Sequence, residues 1–464
     1  MRYTLPLALS SLLLLAACEE LDGNGMRPGG SADELVQNLT IELSEAHPTV
    51  ATVSWTSSEP TVGWVEFGLD GNLELQTEHD AAPSTEHSFM LVGMLPTTAY
   101  DLAIINQSDD QTVSSADDTL TTGSVDTFGT SPTITGVDAA RTAGGYTLFP
   151  VWGDPEVNHI AIVDAAGRHV WSHGLGDSTY TRARMSADGR SVLYNQAAFQ
   201  PDEMGAVVRV SLDGSEREVS EARGAFMDFV EVEPGRYASL STNIIDMGQG
   251  RMVLDETIVE FGVGVDPVVV WSAVQSLDID LNDVYPAELF GSDFEVPLHL
   301  NSLSYDAAEG AYYTTSLYRE AVYKIHRATG ELDWVLARRD GDFEGLGGGD
   351  PLGFTPHSAM PTPQGVLIFD RGSDSSSWCS AAAEYSLDHG AMTASRDWQY
   401  HTDDCQQSMM LGNAQPLWNG NRMLVLAMNG QIDELSPEGQ LVWRLNVNFG
   451  SAVMFSERFE SFYP

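Results

Sequence analysis

HLNSLSYDAAEGAYYTTSLYREAVYKIHRATGELDW (residues 299–334) holds one complete unit of a pattern that runs through the larger, C-terminal part of the chain. It opens on His299 at the head of an apolar run and turns around a glycine in LSYDAAEGAYYTTS (303–316). It closes as strand, Thr-Gly turn and strand, with Trp334 last. Two-residue alternation on both sides of each turn argues for strands rather than helix. The glycine turn before an apolar strand recurs in RTAGGYTLFPVW (141–152), MSADGRSVLYN (185–195), VEVEPGRYASL (230–240), AMPTPQGVLIFD (359–370) and AQPLWNGNRMLVLA (414–427). The strand–turn–strand recurs in IVDAAGRHVW (162–171), VSLDGSEREV (210–219), EFGVGVDPVVVW (260–271), YSLDHGAMTASRDW (385–398) and LSPEGQLVW (435–443).

Each pattern occurs six times in strict alternation, which implies six four-stranded units. A single twisted sheet cannot bury both faces without neighbours, so units of this size predict the blades of a β-propeller. The expected fold is all-β: a six-bladed β-propeller over 136–464, with the terminal tryptophans packed between blades rather than forming a ligand box. After Trp443 enough chain remains to finish the sixth blade and reach back to the first.

Residues 36–123 also alternate, as in TVATVSW (49–55), VGWVEFG (62–68) and AYDLAII (99–105). Leu95-Pro96-Thr97-Thr98-Ala99-Tyr100 resembles the tyrosine corner of a fibronectin type III sandwich, so this stretch is expected to be such a β-sandwich. His47, His79 and His87 share no carboxylate spacing and are expected at the surface. SVDTFGTSPTIT (124–135) reads as a linker.

Ahead of this domain, Arg2 and LPLALSSLLLLAA (5–17) have the layout of a secretory signal, too short to span a bilayer. Leu15-Ala16-Ala17-Cys18 resembles a bacterial lipobox. It implies cleavage after residue 17, acylation of Cys18, and membrane attachment through that anchor alone. Residues 18–35 are acidic and Gly-rich and read as a flexible tether. Glu19, where an aspartate would signal retention at the inner membrane, favours the outer membrane of the cell envelope. In that oxidising setting the two remaining cysteines, Cys379 and Cys405, are expected to form a disulfide.

Lys and Arg number 22 against 67 Asp and Glu, a formal net charge of −45. No basic stripe exists to replace nucleic-acid counterions, so nucleic acid is excluded as a partner. Acidic loops offer no metal site: Asp340, Asp342 and Glu344 imitate the start of an EF-hand, but the twelfth position is Pro351. GGGDPLG lacks the Lys and Ser/Thr of a phosphate loop. No cofactor is expected, and nothing in the sequence sets the oligomeric state.

The longest loops, 273–298 and 337–356, precede HLNSLSYD (299–306) and TPHSAM (355–360). Loops of that length are often functional, and His299 and His357 would begin equivalent strands of adjacent blades and meet near the axis. Together with KIHRATGELDWVL, VLIFDRG, GNAQPLWNGN (412–421) and FSERFESFYP (455–464), these segments resemble the bacterial arylsulfate sulfotransferase family over roughly 130–464. The resemblance implies a six-bladed propeller preceded by a β-sandwich. It also implies metal-free transfer of sulfuryl groups between phenols through a transiently sulfated histidine. His357 matches the nucleophile and His299 a histidine that stabilises sulfuryl oxygens. Two family positions depart: an arginine is replaced at Leu317, and a third-blade histidine at Phe226/Met227. Arg371, on the strand after the one His357 begins, is the first candidate for the missing charge, with Arg319 second. Three readings stay open: a transferase of phenolic and aryl sulfate small molecules, an inactive propeller that binds a small ligand, glycan or protein, and two purely structural histidines.

Overall fold

The computed structural model describes residues 36–108, 111–153, 156–287, 293–346, 354–372, 379–447 and 452–463. The expectations for residues 1–35, Cys18 included, lie outside them. The described chain is nearly all-β, and its helices are a single turn at Ala273–Ser276 and a 3-10 turn at Ala427–Asn429.

The N-terminal region is organised by one 19-residue strand, Ala51–Leu69. Its first part pairs with Gln37–Leu43 and Ser84–Leu91, and its second with Asn72–Gln76 and Ala99–Ser108. The register slips between Thr56 and Thr61, so the strand passes from one sheet to another there. Val53, Trp55, Val65, Phe67, Leu102 and Ile104 are buried together, and the Tyr100 hydroxyl accepts the Leu95 N–H at 2.8 Å. The expectation of surface histidines fails for two of the three: His47 and His87 are buried. Nδ1 of His87 lies 2.6 Å from Asp80, and its Nε2 lies 3.1 Å from the hydroxyls of both Ser57 and Thr61. These partners come from the strand Ala51–Leu69 and from the loop that holds Asp80, so local spacing did not reveal them. His79 stays outside, stacked on Trp64.

Among the described residues from 133 onward, the chain forms six consecutive sheets, antiparallel except for one short parallel pair in the third. Four-stranded ladders begin at Ala183–Met185, Phe226–Glu233, Leu300–Asp306, Pro356–Thr362 and Ala414–Pro416. The remaining one is built on Tyr146–Trp152, His159–Asp164 and His169–Gly174, and its missing first strand arrives from the far end of the chain. Ala452–Val453 and Glu457–Phe459 both pair with Tyr146–Trp152. Thr133–Thr135, inside the expected linker, adds a strand beside Leu441–Asn446 of the last sheet. The long loop 273–298 is not wholly irregular either: Phe294–Val296 pairs with Arg251–Gly262 and extends the third sheet.

The tryptophans tie neighbouring sheets together. Trp171 Nε1 donates to the Leu212 carbonyl at 2.9 Å, and Trp443 Nε1 to the Ala165 carbonyl at 2.8 Å, the latter joining the last sheet to the first. A buried ion pair seals the same seam: Arg458 Nη1 is 2.8 Å from Glu434 Oε2, both side chains fully buried. Glu434 also accepts from Thr142 Oγ1, the Ala143 N–H and Asn421 Nδ2.

Cys379 and Cys405 form the expected disulfide, with Cα atoms 4.6 Å apart and a sequence separation of 26. Closing a loop of that length restricts the unfolded chain by about 3–4 kcal/mol. Reduction, or the Cys379→Ser/Cys405→Ser pair, should lower the unfolding free energy by that amount. The check is a fall in the denaturant midpoint at constant slope, and an unchanged midpoint would contradict it.

Candidate active site

The first strands of the third, fourth and fifth sheets lie side by side, and each begins with a β-bulge. In the fifth, Pro356 pairs with Asp370 and Ser358 with Phe369, so His357 is the extra residue. In the fourth, Leu300 pairs with Ser316 and Ser302 with Thr315, which leaves out Asn301. In the third, Phe226 pairs with Leu240 and Phe229 with Ser239, which leaves out Met227 and Asp228. Bulges of this kind re-aim side chains at strand ends and next to sites. Asp228, Asn301 and His357 therefore hold matching places, and His299 stands two residues ahead of its matching place, just before its strand.

His357 is 5% exposed. Its Nε2 accepts the Leu411 N–H at 3.3 Å. A backbone N–H can only donate, so the lone pair is on Nε2 and the proton of the neutral ring is on Nδ1. Burial above all, then His299 and Arg371, push its pKa down to about 3, against a weaker opposing pull from Asp228. Phe455 flanks the ring at 5.9 Å between centroids. The imidazole is thus uncharged at neutral pH.

His299 has φ +55°, in the left-handed region that non-glycine residues seldom occupy. Burial and then Arg371 lower its pKa to about 4, and the Tyr318 ring meets it edge-on at 5.0 Å. Electrostatically the two histidines are linked: the charge of Arg371 bears on both, and His299 bears on His357.

Arg371 follows the strand Gly365–Asp370 and is half-buried. Its N–H donates to the Thr355 carbonyl at 3.2 Å, and its Nη1 to the Met409 carbonyl at 3.4 Å. Arg319 is engaged elsewhere: Nη1 and Nη2 donate to Asp283 at 2.7 and 2.8 Å, and Nε to the Pro297 carbonyl at 3.2 Å. Of the two candidates, Arg371 is the one whose charge bears on both histidines.

Sequence reasoning passed over Asn301, although it lies inside HLNS. The residue is 1% exposed, and neither carboxamide atom has a hydrogen-bond partner among the described residues. A buried amide in that state is costly unless something meets it. Leu411, whose N–H caps His357, was also missed, since its role depends on the loop 402–413 folding back over the fifth sheet. That loop is anchored by Cys405 and by the Ser408 N–H, which donates to Ser380 Oγ at 2.8 Å.

The structure shows what occupies the two positions where a departure from the family was expected. Phe226 and Met227 are buried apolar side chains, and Met227 shares the unusual backbone of His299, with φ +55°. Leu317 gives its N–H to the His299 carbonyl at 3.0 Å but brings no charge. Nearby, Arg182 forms a bidentate pair with Asp228, both contacts 2.9 Å, and sits 4.4 Å over Phe455, while Arg184 lies 3.6 Å from the same carboxylate. A cleft of about 690 Å³, lined by Leu277, Tyr285, Leu298, Tyr318 and Tyr323 among others, shares Tyr318 with His299.

Two neutral imidazoles, an arginine whose charge bears on both and a buried carboxamide thus stand at or beside strand ends of adjoining sheets, and groups of these kinds suit a small anion. The chain belongs to the arylsulfotransferase (ASST) family, whose model matches residues 139–446. No curated protein sequence is similar enough to match. Among solved structures, the chain is similar to a β-propeller domain from Myceliophteria thermophila at 10% identity, covering 68% of this chain and 99% of that one, with a TM-score of 0.35. It is also similar to an auxiliary nutrient binding protein from Bacteroides ovatus at 11% identity, covering 89% and 86%, with a TM-score of 0.35.

Proposed function

We propose that this is an arylsulfotransferase-like protein that moves a sulfuryl group between phenolic compounds through His357. In this reading the six sheets are the blades of a six-bladed propeller, and residues 36–123 are a fibronectin type III-like sandwich beside it. Acylated Cys18 holds both at the outer membrane, outside the cytoplasm. The observation that carries the reading is the neutral, buried His357, with its lone pair on Nε2 and both His299 and Arg371 acting on it.

Nε2 attacks the sulfur of an aryl sulfate. The S–O bond to the aryl oxygen breaks, the phenolate leaves with the electron pair, and an N–S bond forms. The proton already on Nδ1 stays there, so the sulfated ring is cationic and a good leaving group. An acceptor phenol that has given its proton to solvent then attacks sulfur. The S–N bond breaks and neutral His357 returns. The contact to Leu411 is long for a hydrogen bond, and it yields as sulfur closes on Nε2.

Charge spreads over the sulfuryl oxygens in both steps, and donors held in advance stabilise it. Arg371, His299 and Asn301 fill that role, with Arg371 supplying the charge missing from the family positions occupied here by Leu317 and Phe226/Met227. Arg371→Ala should therefore lower kcat for p-nitrophenyl sulfate with a phenol acceptor by a factor on the order of 10²–10³. Arg319→Ala should leave kcat near the wild-type value. Equal losses in the two variants would contradict the assignment.

The same two apolar replacements support a second reading, in which the site binds an anionic aromatic ligand without turning it over. It would be adopted if the wild type neither hydrolyses nor transfers from aryl sulfates while His357→Ala weakens binding of one.

A further inference from the structure

The turn that carries His299 is held by a residue far away in sequence. The Glu256 carboxylate, on the strand Arg251–Gly262, accepts three consecutive backbone N–H groups: Leu298 at 2.9 Å and His299 at 3.0 Å on Oε2, and Leu300 at 2.6 Å on Oε1. Successive N–H groups around a left-handed residue form a concave anion site of the kind that captures phosphates and carboxylates. Here the protein fills the site with its own side chain. Glu256 is 2% exposed, so these charge-assisted bonds are formed out of water, where they are strong. The Leu317 and Tyr318 N–H groups hold the carbonyls of His299 and Leu298, and Glu256 holds the N–H side of the same turn, where His299 sits at φ +55°.

We infer that Glu256 is a positioning residue: its carboxylate sets the turn that aims the His299 imidazole at the anion bound beside His357. This rests on the proposed role of His299 as an anion donor. The three N–H groups suit an ionised carboxylate and oppose an acid proton. A protonated Glu256 must turn an O–H toward a donor and lose at least one of the three contacts.

Burial raises the pKa of Glu256 to about 7, with neighbouring Asp255 adding to the rise and the three N–H groups opposing it. The other titratable groups around it are His299, on the turn it holds, and Tyr323 from the fourth sheet, which itself feels Arg319. Neither His299 nor His357 titrates near neutrality, and Asp255, itself raised by burial, is told apart from Glu256 by substitution at Glu256. The sign follows from the chemistry: the ionised form, present above about pH 7, holds the turn, and transfer falls as the pH drops through that value.

Glu256→Gln is nearly isosteric and imitates the protonated state at every pH. In the wild type, kcat should fall with decreasing pH around neutrality. In E256Q it should be lower by about 10–100-fold at high pH, the range for groups that orient a functional histidine, and flat across the same window. A variant that merely lost stability would keep the wild-type pH profile. A second readout needs no turnover. With histidines isotopically labelled and His299 assigned through His299→Asn, the His299 ring signal should inflect near pH 7 in the wild type and not in E256Q. If the wild type shows that inflection but no sulfuryl transfer, the positioning role stands and the transferase reading falls. An inflection that persists in E256Q, or is missing from the wild type, overturns the inference.

Discussion

His357→Ala is expected to abolish aryl sulfate turnover, leaving less than can be measured above the uncatalysed background. Removing a donor from the site weakens stabilisation of charge, but removing His357 removes the atom that bonds to sulfur. His299 does not replace it, because its backbone turn is fixed by Glu256 and by the Leu317 N–H. Burial keeps His357 unprotonated well below neutral pH, so the nucleophile stays available between pH 5 and 9, and the fall in wild-type turnover near neutrality comes from Glu256 rather than from His357. Steady-state release of p-nitrophenol from p-nitrophenyl sulfate, with a fold check by circular dichroism, reads the difference. A His357→Ala variant that kept a tenth of wild-type kcat would remove the histidine from the chemistry.

The second large effect concerns stability. Arg458→Ala should destabilise the repeat region by about 3–5 kcal/mol, the usual consequence of leaving one member of a buried ion pair alone. Glu434 would remain at zero exposure with its charge unmatched. The variant also loses the guanidinium that stacks 4.0 Å over Trp443. The strand carrying Arg458 pairs with the first sheet while its guanidinium pairs with the last, so the loss falls at the seam between them. Arg458→Met combined with Glu434→Gln should recover much of the loss, because no charge is then buried unpaired. Chemical denaturation reads both variants, and a single variant as stable as the wild type would contradict the latch. The C-terminal tail also reaches the N-terminal region: the Tyr463 hydroxyl accepts the Val92 N–H at 2.8 Å and donates to the Met90 carbonyl at 3.1 Å. Truncating the whole tail would therefore disturb both parts, which makes Arg458 the cleaner probe.

Much of the fold was legible because it is periodic. The glycine turns and terminal tryptophans of 299–334 repeat at a spacing that only stacked four-stranded sheets accommodate, and the chain beyond Trp443 was long enough to require a partner. It pairs with Tyr146–Trp152. The short strand Thr133–Thr135 was not legible, since its pairing with Leu441–Asn446 lies more than three hundred residues away and leaves no local mark. The site divides in the same way. His299, His357 and Arg371 stand at repeat boundaries beside long loops, which singled them out. Glu256 sits in the middle of an ordinary strand, 43 residues before the backbone it grips. Asn301 faces the same way as His357 only because each strand carries a one-residue bulge, and a bulge is a matter of pairing register that composition does not report. The buried polar network of His87, Asp80, Ser57 and Thr61 was hidden for the same reason.

The central claim is a covalent sulfuryl–histidine intermediate on His357. It is tested most directly by mixing the protein with an aryl sulfate donor in the absence of acceptor, quenching in alkali and mapping the peptides by mass spectrometry. The account predicts one added sulfuryl group on the peptide that contains His357, lost when a phenol acceptor is supplied and absent in His357→Ala. Turnover of the donor with no modified histidine, or modification that persists in His357→Ala, would contradict it.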